Sequence, residues 1–442
     1  MQNTDTPISP AIEPEKRSNR SAMMIVFLVV FIDLLGFGIV LPLLPLIAKS
    51  YVTLVFPENR VMVGLIVGLL MSSSSLMQFL FAPVWGKLSD RIGRRPILLV
   101  GLLGSVVFYM MFGYATSLSH DTDTTSIIAM AFLFMARIGA GVSGATIATA
   151  QAVIADCTPP EKRKHGMALI GAAFGIGFTF GPLIGFGCLW ISNDLSMIGY
   201  TAAGLSLLAL LLGLRLLPET RVFNTEPFGR RKLVDLAAIR QVLVDPAIGP
   251  IILVFFMASL GFGAFEVTLA MFLEDTFRFD KDNSFLIFAY IGFVLMLTQG
   301  VLYRRLASRV SETTFIAMGI LFMALGVAIM GGINLGKAQG FDWALRMEFL
   351  FAALTAAVVG FAFLTPSAQA LISRRTSSER QGEILGVNQS ASAMARILGP
   401  VFGVTLYTST ESHLLPYIAG AVLLVLMLPL LPRIRRGSEP EV

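Results

Sequence analysis

The stretch APVWGKLSDRIGRRPILLV, Ala82 to Val100, places five charged residues in the nine positions from Lys87 to Arg95, between two long aliphatic runs. So short a charged interruption is what a chain needs where it turns at a membrane surface. The rest of the sequence agrees. Of 442 residues, 55% are hydrophobic and 14% charged, and mean hydropathy is +0.77, whereas soluble domains carry roughly 25% charged residues. A bilayer core about 30 Å thick needs about 20 apolar residues per helical crossing. Twelve such runs occur, near 22–48, 61–85, 96–118, 126–152, 165–190, 197–217, 248–273, 284–304, 313–333, 347–373, 382–408 and 413–432. None shows the period-2 alternation of a membrane β-strand. The expected fold class is an all-α membrane protein with twelve transmembrane helices.

The formal charge of +5 does not point to nucleic acid, because the basic residues follow topology. With the N-terminus inside, 25 Lys and Arg fall in the inside segments and six in the outside loops, while Arg137 and Arg396 lie within helices. This positive-inside bias predicts that both termini are cytoplasmic. The first 21 residues are polar, carry proline and have no apolar core, so they read as a disordered tail and not as a cleaved signal. Cys157 and Cys188 are too few and too scattered for a disulfide framework, and no metal site is expected.

The most polar connection, Pro218 to Pro250, divides the runs into two sets of six. Sliding one half over the other by 218 residues places LSDRIG (Leu88–Gly93) on LASRVS (Leu306–Ser311) and TAQAVIADCTPPEKR (Thr149–Arg163) on SAQALISRRTSSERQ (Ser367–Gln381). The same offset places GPLIG (Gly181–Gly185) on GPVFG (Gly399–Gly403). The expected organisation is therefore a tail (1–21), a six-helix bundle (22–217), a cytoplasmic linker (218–247), a second pseudo-symmetric six-helix bundle (248–432) and a C-terminal tail (433–442).

In the opening stretch, Gly86 and Gly93 bracket a tight turn, and Lys87, Arg91, Arg94 and Arg95 serve orientation. Asp90 does not, so it must pair with an arginine, cap a helix, or both. GKLSDRIGRRP resembles the loop signature of the major facilitator superfamily, between its second and third helices. The resemblance implies that Asp90, with Gly86, Arg91, Gly93 and Arg94, latches the cytoplasmic ends of the two halves together in the outward-facing state. Ser308 replaces the aspartate in the second copy, so the latch is expected to be one-sided.

FIDLLGFGIVLPLLP (Phe31–Pro45) is similar to the first helix of tetracycline-type drug:proton antiporters, and RIGAGVSGA (Arg137–Ala145) to their fourth. GIGFTFGPLIG (Gly175–Gly185) resembles the antiporter motif of the fifth helix, on Gly177, Gly181, Pro182 and Gly185, with Phe186 departing from it. LEDTFRF (Leu273–Phe279) and ARILGP (Ala395–Pro400) resemble the eukaryotic tetracycline-transporter-like branch. GAGVSG (Gly139–Gly144) also fits a dinucleotide fingerprint, but it lies within an apolar helix and not after a strand. It reads as a small-residue seam for close helix packing.

Ionisable residues within the apolar runs are functional candidates, since an isolated charge at a helix centre costs about 2.5–3.5 kcal/mol on insertion scales. Asp33 and Arg137 both lie about 16 Å from the nearer start of their helices at 1.5 Å per residue, near the midplane of the bilayer. They are expected to pair, either as a proton-responsive couple or as a permanent salt bridge. Gln389, Ser392 and Arg396 share one helical face, which either lines a cavity or forms a helix–helix seam. Glu266 is either a second protonation site or a carboxylate at the outer rim. Gln78, at the end of SSSSLMQ, and the aromatics Phe37, Phe262 and Tyr290 are candidates for the cavity wall, although each read singly is also ordinary packing. Tetracycline exporters carry a histidine in the eighth helix and a carboxylate in the ninth. Leu295 and Met323 stand there in this chain, which disfavours tetracycline itself.

The function implied by the resemblance is proton-coupled antiport, exporting an amphipathic organic compound by alternating access between the halves. The chain is expected to act as a monomer in the plasma or inner membrane. Its expected partners are lipid, protons and a small molecule; no nucleic acid is expected, and no cofactor beyond the proton gradient. The competing expectations are an importer of a metabolite or organic anion, and a receptor that binds without transport. An enzyme is not expected: H-E-x-x-H and G-x-S-x-G are missing, and no histidine lies at membrane depth.

Overall fold

The computed structural model describes residues 15–119, 122–157, 163–220, 236–376 and 381–436, and every regular element within them is helical. In chain order these are α1 (Glu15–Val40), α2 (Leu44–Val55), α3 (Arg60–Ile92), α4 (Arg94–Ser117), α5 (Asp123–Gly144), α6 (Ile147–Cys157), α7 (Arg163–Ser192), α8 (Ser196–Leu216) and α9 (Leu236–Val244). The second half contains α10 (Gly249–Phe272), α11 (Lys281–Leu297), α12 (Arg304–Leu306), α13 (Glu312–Ala338), α14 (Trp343–Arg374), α15 (Gln381–Thr408), α16 (Leu415–Val425) and α17 (Leu431–Arg436).

Among the described residues, eleven helical segments are long and apolar enough to cross a membrane. The remaining expected run, 382–408, forms α15, which is 28 residues long. Its composition sets it apart, since Asn388, Gln389, Ser390, Ser392 and Arg396 break its apolar character.

Several boundaries differ from expectation for identifiable reasons. α1 starts at Glu15, so the stretch 1–21 is not unstructured throughout; residues 1–14 lie outside the described residues. The first run is interrupted at Leu41–Leu43. Pro42 has no N–H to donate and disfavours helical geometry at Leu41, whereas Pro45 is tolerated in the first turn of α2. The expected linker contains α9, whose Val242 is fully buried; residues 221–235 lie outside the described residues. α17 continues past the expected boundary at 432, with Ile434 buried, while 437–442 lie outside.

Helices α1 to α8 pack mainly on one another, as do α10 to α16. The two sets meet along α3 against α15 and α7 against α11. Glycines make the approach close. A Cβ on Gly68 would stand 2.7 Å from the Val401 Cα, and one on Gly64 2.8 Å from the Thr405 Cα. A Cβ on Gly292 would stand 2.7 Å from the Phe178 carbonyl oxygen, and one on Gly185 2.6 Å from the Phe285 ring. Farther toward Asp90, a Cβ on Gly86 of α3, Gly175 of α7 or Gly386 of α15 would meet nothing within 4 Å. The seam is zipped at the end bearing Lys49 and parted at the end bearing Asp90.

Gly68→Val is expected to force the zipped end apart, at a cost of about 1–3 kcal/mol. The thiol-labelling rate of a cysteine placed at Val63, which is buried at that end, should rise about 5- to 150-fold.

Candidate functional site

The first buried charge centre is built by α1, α4, α5 and α8. Asp33 on α1 accepts a hydrogen bond from the Ser206 hydroxyl at 3.3 Å, and Ser105 on α4 supplies a second hydroxyl. Tyr109, one helical turn beyond Ser105, packs its ring against Gly36, where a Cβ would stand 3.1 Å from it. Its hydroxyl lies within electrostatic range of both Asp33 and Arg137.

Arg137 is 4% exposed. One terminal nitrogen donates to the Ser74 hydroxyl at 2.5 Å, and the guanidinium lies 5.9 Å from the centre of the Phe37 ring. Its Nε has no acceptor among the described residues. The expected direct pair is therefore corrected: no ion pair joins Asp33 to Arg137 among the described residues. The carboxylate points toward α4 and α8 while the arginine points toward α3, and Tyr109 stands in reach of both.

The small-residue seam explains why Arg137 reaches Ser74. A Cβ on Gly141, one turn after Arg137, would stand 2.7 Å from the Ser74 Cα, so only glycine allows α5 to lie this close to α3. Gln78 continues the contact, with its Nε2 3.0 Å from where a Cβ on Gly144 would be. Two residues before Ser74, the Ser72 hydroxyl donates to the Ile397 carbonyl of α15 at 2.5 Å. This bond crosses between the two halves.

Arg396, adjacent to that carbonyl, belongs to the second charge centre. It lies within electrostatic range of Glu266 on α10, and its own hydrogen-bond partner is Ser392 at 3.3 Å. At 3.6 residues per turn, α15 gives Ile397 and Val401 to α3, and Gly399 and Gly403 to α10. Met394 and Phe402 form an exposed apolar face. The opposite face carries Gln389 and Arg396, both exposed, with Ser392 at its buried edge. That face opens between the halves, and Glu266 stands half-buried beside it.

Two proposed wall residues are used elsewhere. Tyr290 bonds Thr355 at 2.6 Å and sets its ring edge-on to Phe351, both on α14. Phe262 stacks on Phe361 with ring centres 3.9 Å apart. Phe37, by contrast, stands edge-on to Phe178, beneath Arg137. An apolar hollow of about 180 Å³ lies apart from both charge centres, among α10, α13, α15 and α16.

The glycines of GIGFTFGPLIG position the first centre. A Cβ on Gly181 would stand 2.7 Å from the Gly38 Cα, and one on Gly177 3.1 Å from the Leu34 Cβ. The motif thus seats the segment of α1 that carries Asp33. Gly185 receives Phe285 of the other half, and Pro182 lies within α7.

At the parted end, Asp90 forms no ion pair with the second half among the described residues. It pairs with Arg94 at 2.7 Å, and Arg94 also pairs with Asp156 at 3.1 Å and bonds Ser89. The Glu219 carboxylate accepts from the backbone N–H groups of Arg94 and Arg95 at 2.8 and 3.0 Å, capping the start of α4. Gly93 turns there with φ at 107°, and a Cβ would collide with Glu219. Arg91 is exposed and Gly86 half-buried beside this cluster. Ser105, Tyr109, Ser206 and Glu219 were not singled out from the sequence; the polar i, i+4 pair Ser105 and Tyr109 in an aliphatic run was the available signal.

Comparison with known proteins decides the family. The model of the Major Facilitator Superfamily matches residues 26–347 and 340–442. The chain belongs to the major facilitator superfamily. This facilitator is 30% identical to the class E tetracycline resistance protein of Escherichia coli, over 89% of each chain. It is 27% identical to the major facilitator superfamily domain-containing protein 10 of Mus musculus, over 97% of this chain and 96% of that one. The crystal structure of the human organic anion transporter MFSD10 (TETRAN) superposes with a TM-score of 0.64 at 25% identity, covering 93% of this chain and 99% of that one. The fold and both resemblances read from the motifs are thereby established, and the chain is a multi-pass integral membrane protein of a transporter family.

Within this facilitator, Ser74→Ala should leave the buried Arg137 guanidinium short of an acceptor, at a cost of about 1–3 kcal/mol. The expected result is a lower Tm in detergent, with Ser74→Thr restoring most of the loss.

Proposed function

We propose that this facilitator is a proton-coupled antiporter that exports an amphipathic organic compound by alternating access, working as a monomer in the plasma or inner membrane. The excess of Lys and Arg at the Asp90 end supports placing that end and both termini in the cytoplasm. In this orientation the parted end faces the cytoplasm. Among the described residues Asp90 has no ion pair with the second half, as expected if its latch belongs to the opposite conformer.

One observation carries the reading. On each side of the α3–α15 seam stands a half-buried carboxylate with no ion pair to an arginine among the described residues: Asp33, which shares the neighbour Tyr109 with Arg137, and Glu266, which lies within electrostatic range of Arg396. A carboxylate so placed is either ionised, held by serine hydroxyls at Asp33 and by the field of Arg396 at Glu266, or neutral, and the change alters the charge of the cavity. Substrate and proton compete if the substrate uses the ionised Glu266. The favoured compound is an amphipath with a cationic or donor group for Glu266 and an anionic group for Arg396. Phe37 and Gln78 line its path, and the Ser72–Ile397 bond links the two centres. Leu295 and the buried Met323 weigh against tetracycline itself.

A second reading has its own support. Arg396 is the more open member of its pair, and the solved relative is described as an organic anion transporter. If protonation of Glu266 frees Arg396 for an anion, proton and anion travel together instead of in exchange.

Proteoliposomes with an imposed pH gradient separate the two. A carboxyrhodamine dye should accumulate in vesicles with an acidic lumen; accumulation in an alkaline lumen would support cotransport. Asp33→Asn and Glu266→Gln should each lower gradient-driven accumulation at least about tenfold while dye exchange without a gradient continues. Unchanged accumulation in both variants would overturn the coupling assignment.

A further inference from the structure

At the zipped end, the two halves meet around Asp275. It follows α10 in a π-type turn, Leu273–Phe277, whose widened geometry presents Glu274 and Asp275 together. Lys49 of the first half lies 3.1 Å from the Asp275 carboxylate and 3.3 Å from that of Glu274. Arg60, also of the first half, lies 3.0 Å from Glu411 of the second. The first half thus brings cations to this seam, and the second half brings three carboxylates. Two cations of the second half, Lys337 and Arg346, donate to the backbone carbonyls of Asp275 and Thr276. The Tyr407 hydroxyl donates to Asp275 at 3.0 Å, and Tyr417 lies within its electrostatic range.

His413 completes the group. Its Nδ1 lies 2.7 Å from the Tyr407 carbonyl oxygen. A ring nitrogen bonded to a carbonyl must carry the hydrogen, so Nε2 is the bare nitrogen of the neutral ring. Nε2 lies 3.8 Å from the Asp275 carboxylate, too far for a hydrogen bond and near enough for an ion pair once it is charged.

The placement of this ring is strongly constrained. It stacks on Tyr407 with centres 4.4 Å apart and planes 6° from parallel. Its backbone is left-handed, with φ at 51°, a conformation that costs a non-glycine residue energy unless its surroundings enforce it. Asn334 donates to the carbonyls of Ser412 and His413, and its own carbonyl accepts from Thr276. Lys49, Arg60, Asp275, Glu411 and His413 line a shared recess of about 320 Å³, through which the ring can exchange protons with solvent.

We propose that Nε2 of His413 is a proton-binding site that loosens the clasp between the halves. The imidazolium is a cation from the same half as Asp275, so it competes with Lys49 for that carboxylate and repels Lys49 and Arg60 across the recess. Acid on this face therefore favours opening on this face. That benefits a transporter that must load protons there, a clause that rests on the antiport reading; the clasp itself does not.

Spin labels at Glu58→Cys and Gln339→Cys, exposed residues of opposite halves at this end, report the separation. Cys157 and Cys188 are first replaced by serine, and the protein is held in nanodiscs without substrate or gradient. Between pH 7.5 and 5.5 the long-distance population should rise at least about fivefold. His413→Gln should match the parent at pH 7.5, which certifies its fold, and show no rise. Lys49→Met should populate the long distance at both pH values. A rise of equal size in His413→Gln, or none in the parent, overturns the proposal. Intact gradient-driven dye accumulation alongside such a failure would leave antiport standing, and an intact pH response without accumulation would reject antiport alone.

Discussion

A charge placed in hydrocarbon must find polar partners, and the arrangement of this protein follows from where it finds them. Lipid offers none, so the charges turn inward, where helices can bring hydroxyls, aromatic faces and opposite charges within reach. Arg137 takes Ser74 and Phe37; Asp33 takes two serine hydroxyls. Neither demand is met within one helix. Each requires helices to lie closer than ordinary side chains permit, and glycine supplies that closeness where Gly141 meets Ser74 and Gly181 meets Gly38. Burial of charge and glycine packing are thus two aspects of one solution.

The same packing determines which end of the molecule is closed. Gly64 and Gly68 on α3 and Gly292 on α11 let the halves touch backbone to backbone at one end, and Gly185 on α7 admits the Phe285 ring, while the glycines toward Asp90 face open space. Ion pairs divide accordingly. At the closed end they run between halves, from Lys49 to Asp275 and from Arg60 to Glu411. At the open end, those among the described residues stay within one half, as in the Asp90–Arg94–Asp156 cluster. A rocking motion needs such an exchange of partners, because each end must hold and release charges without stranding them in a low dielectric.

Much of this was legible in the sequence. Run lengths pointed to the helical membrane fold and GKLSDRIGRRP to the family, because each signal is local or periodic. The inward-facing charges Asp33, Arg137, Glu266 and Arg396 were found because any ionisable residue in an apolar run stands out. Their partners were not. Depth along a helix says nothing about azimuth, so Asp33 and Arg137 at matching depth looked like a pair although they point to different neighbours. Tyr109 and Ser206 were missed because a lone hydroxyl in a membrane helix is common. The clasp at Asp275 was hidden for another reason: it joins residues more than 200 positions apart through a π-type turn that no spacing rule announces.

The central claim is that a proton and the transported compound exclude each other at the buried carboxylates. Titration calorimetry of the purified protein with the carboxyrhodamine dye, repeated in buffers of different ionisation enthalpy, counts protons exchanged on binding. Net release of protons, with affinity rising as pH rises, is the expected result. Proton uptake on binding, or no exchange across the pH range, would contradict it.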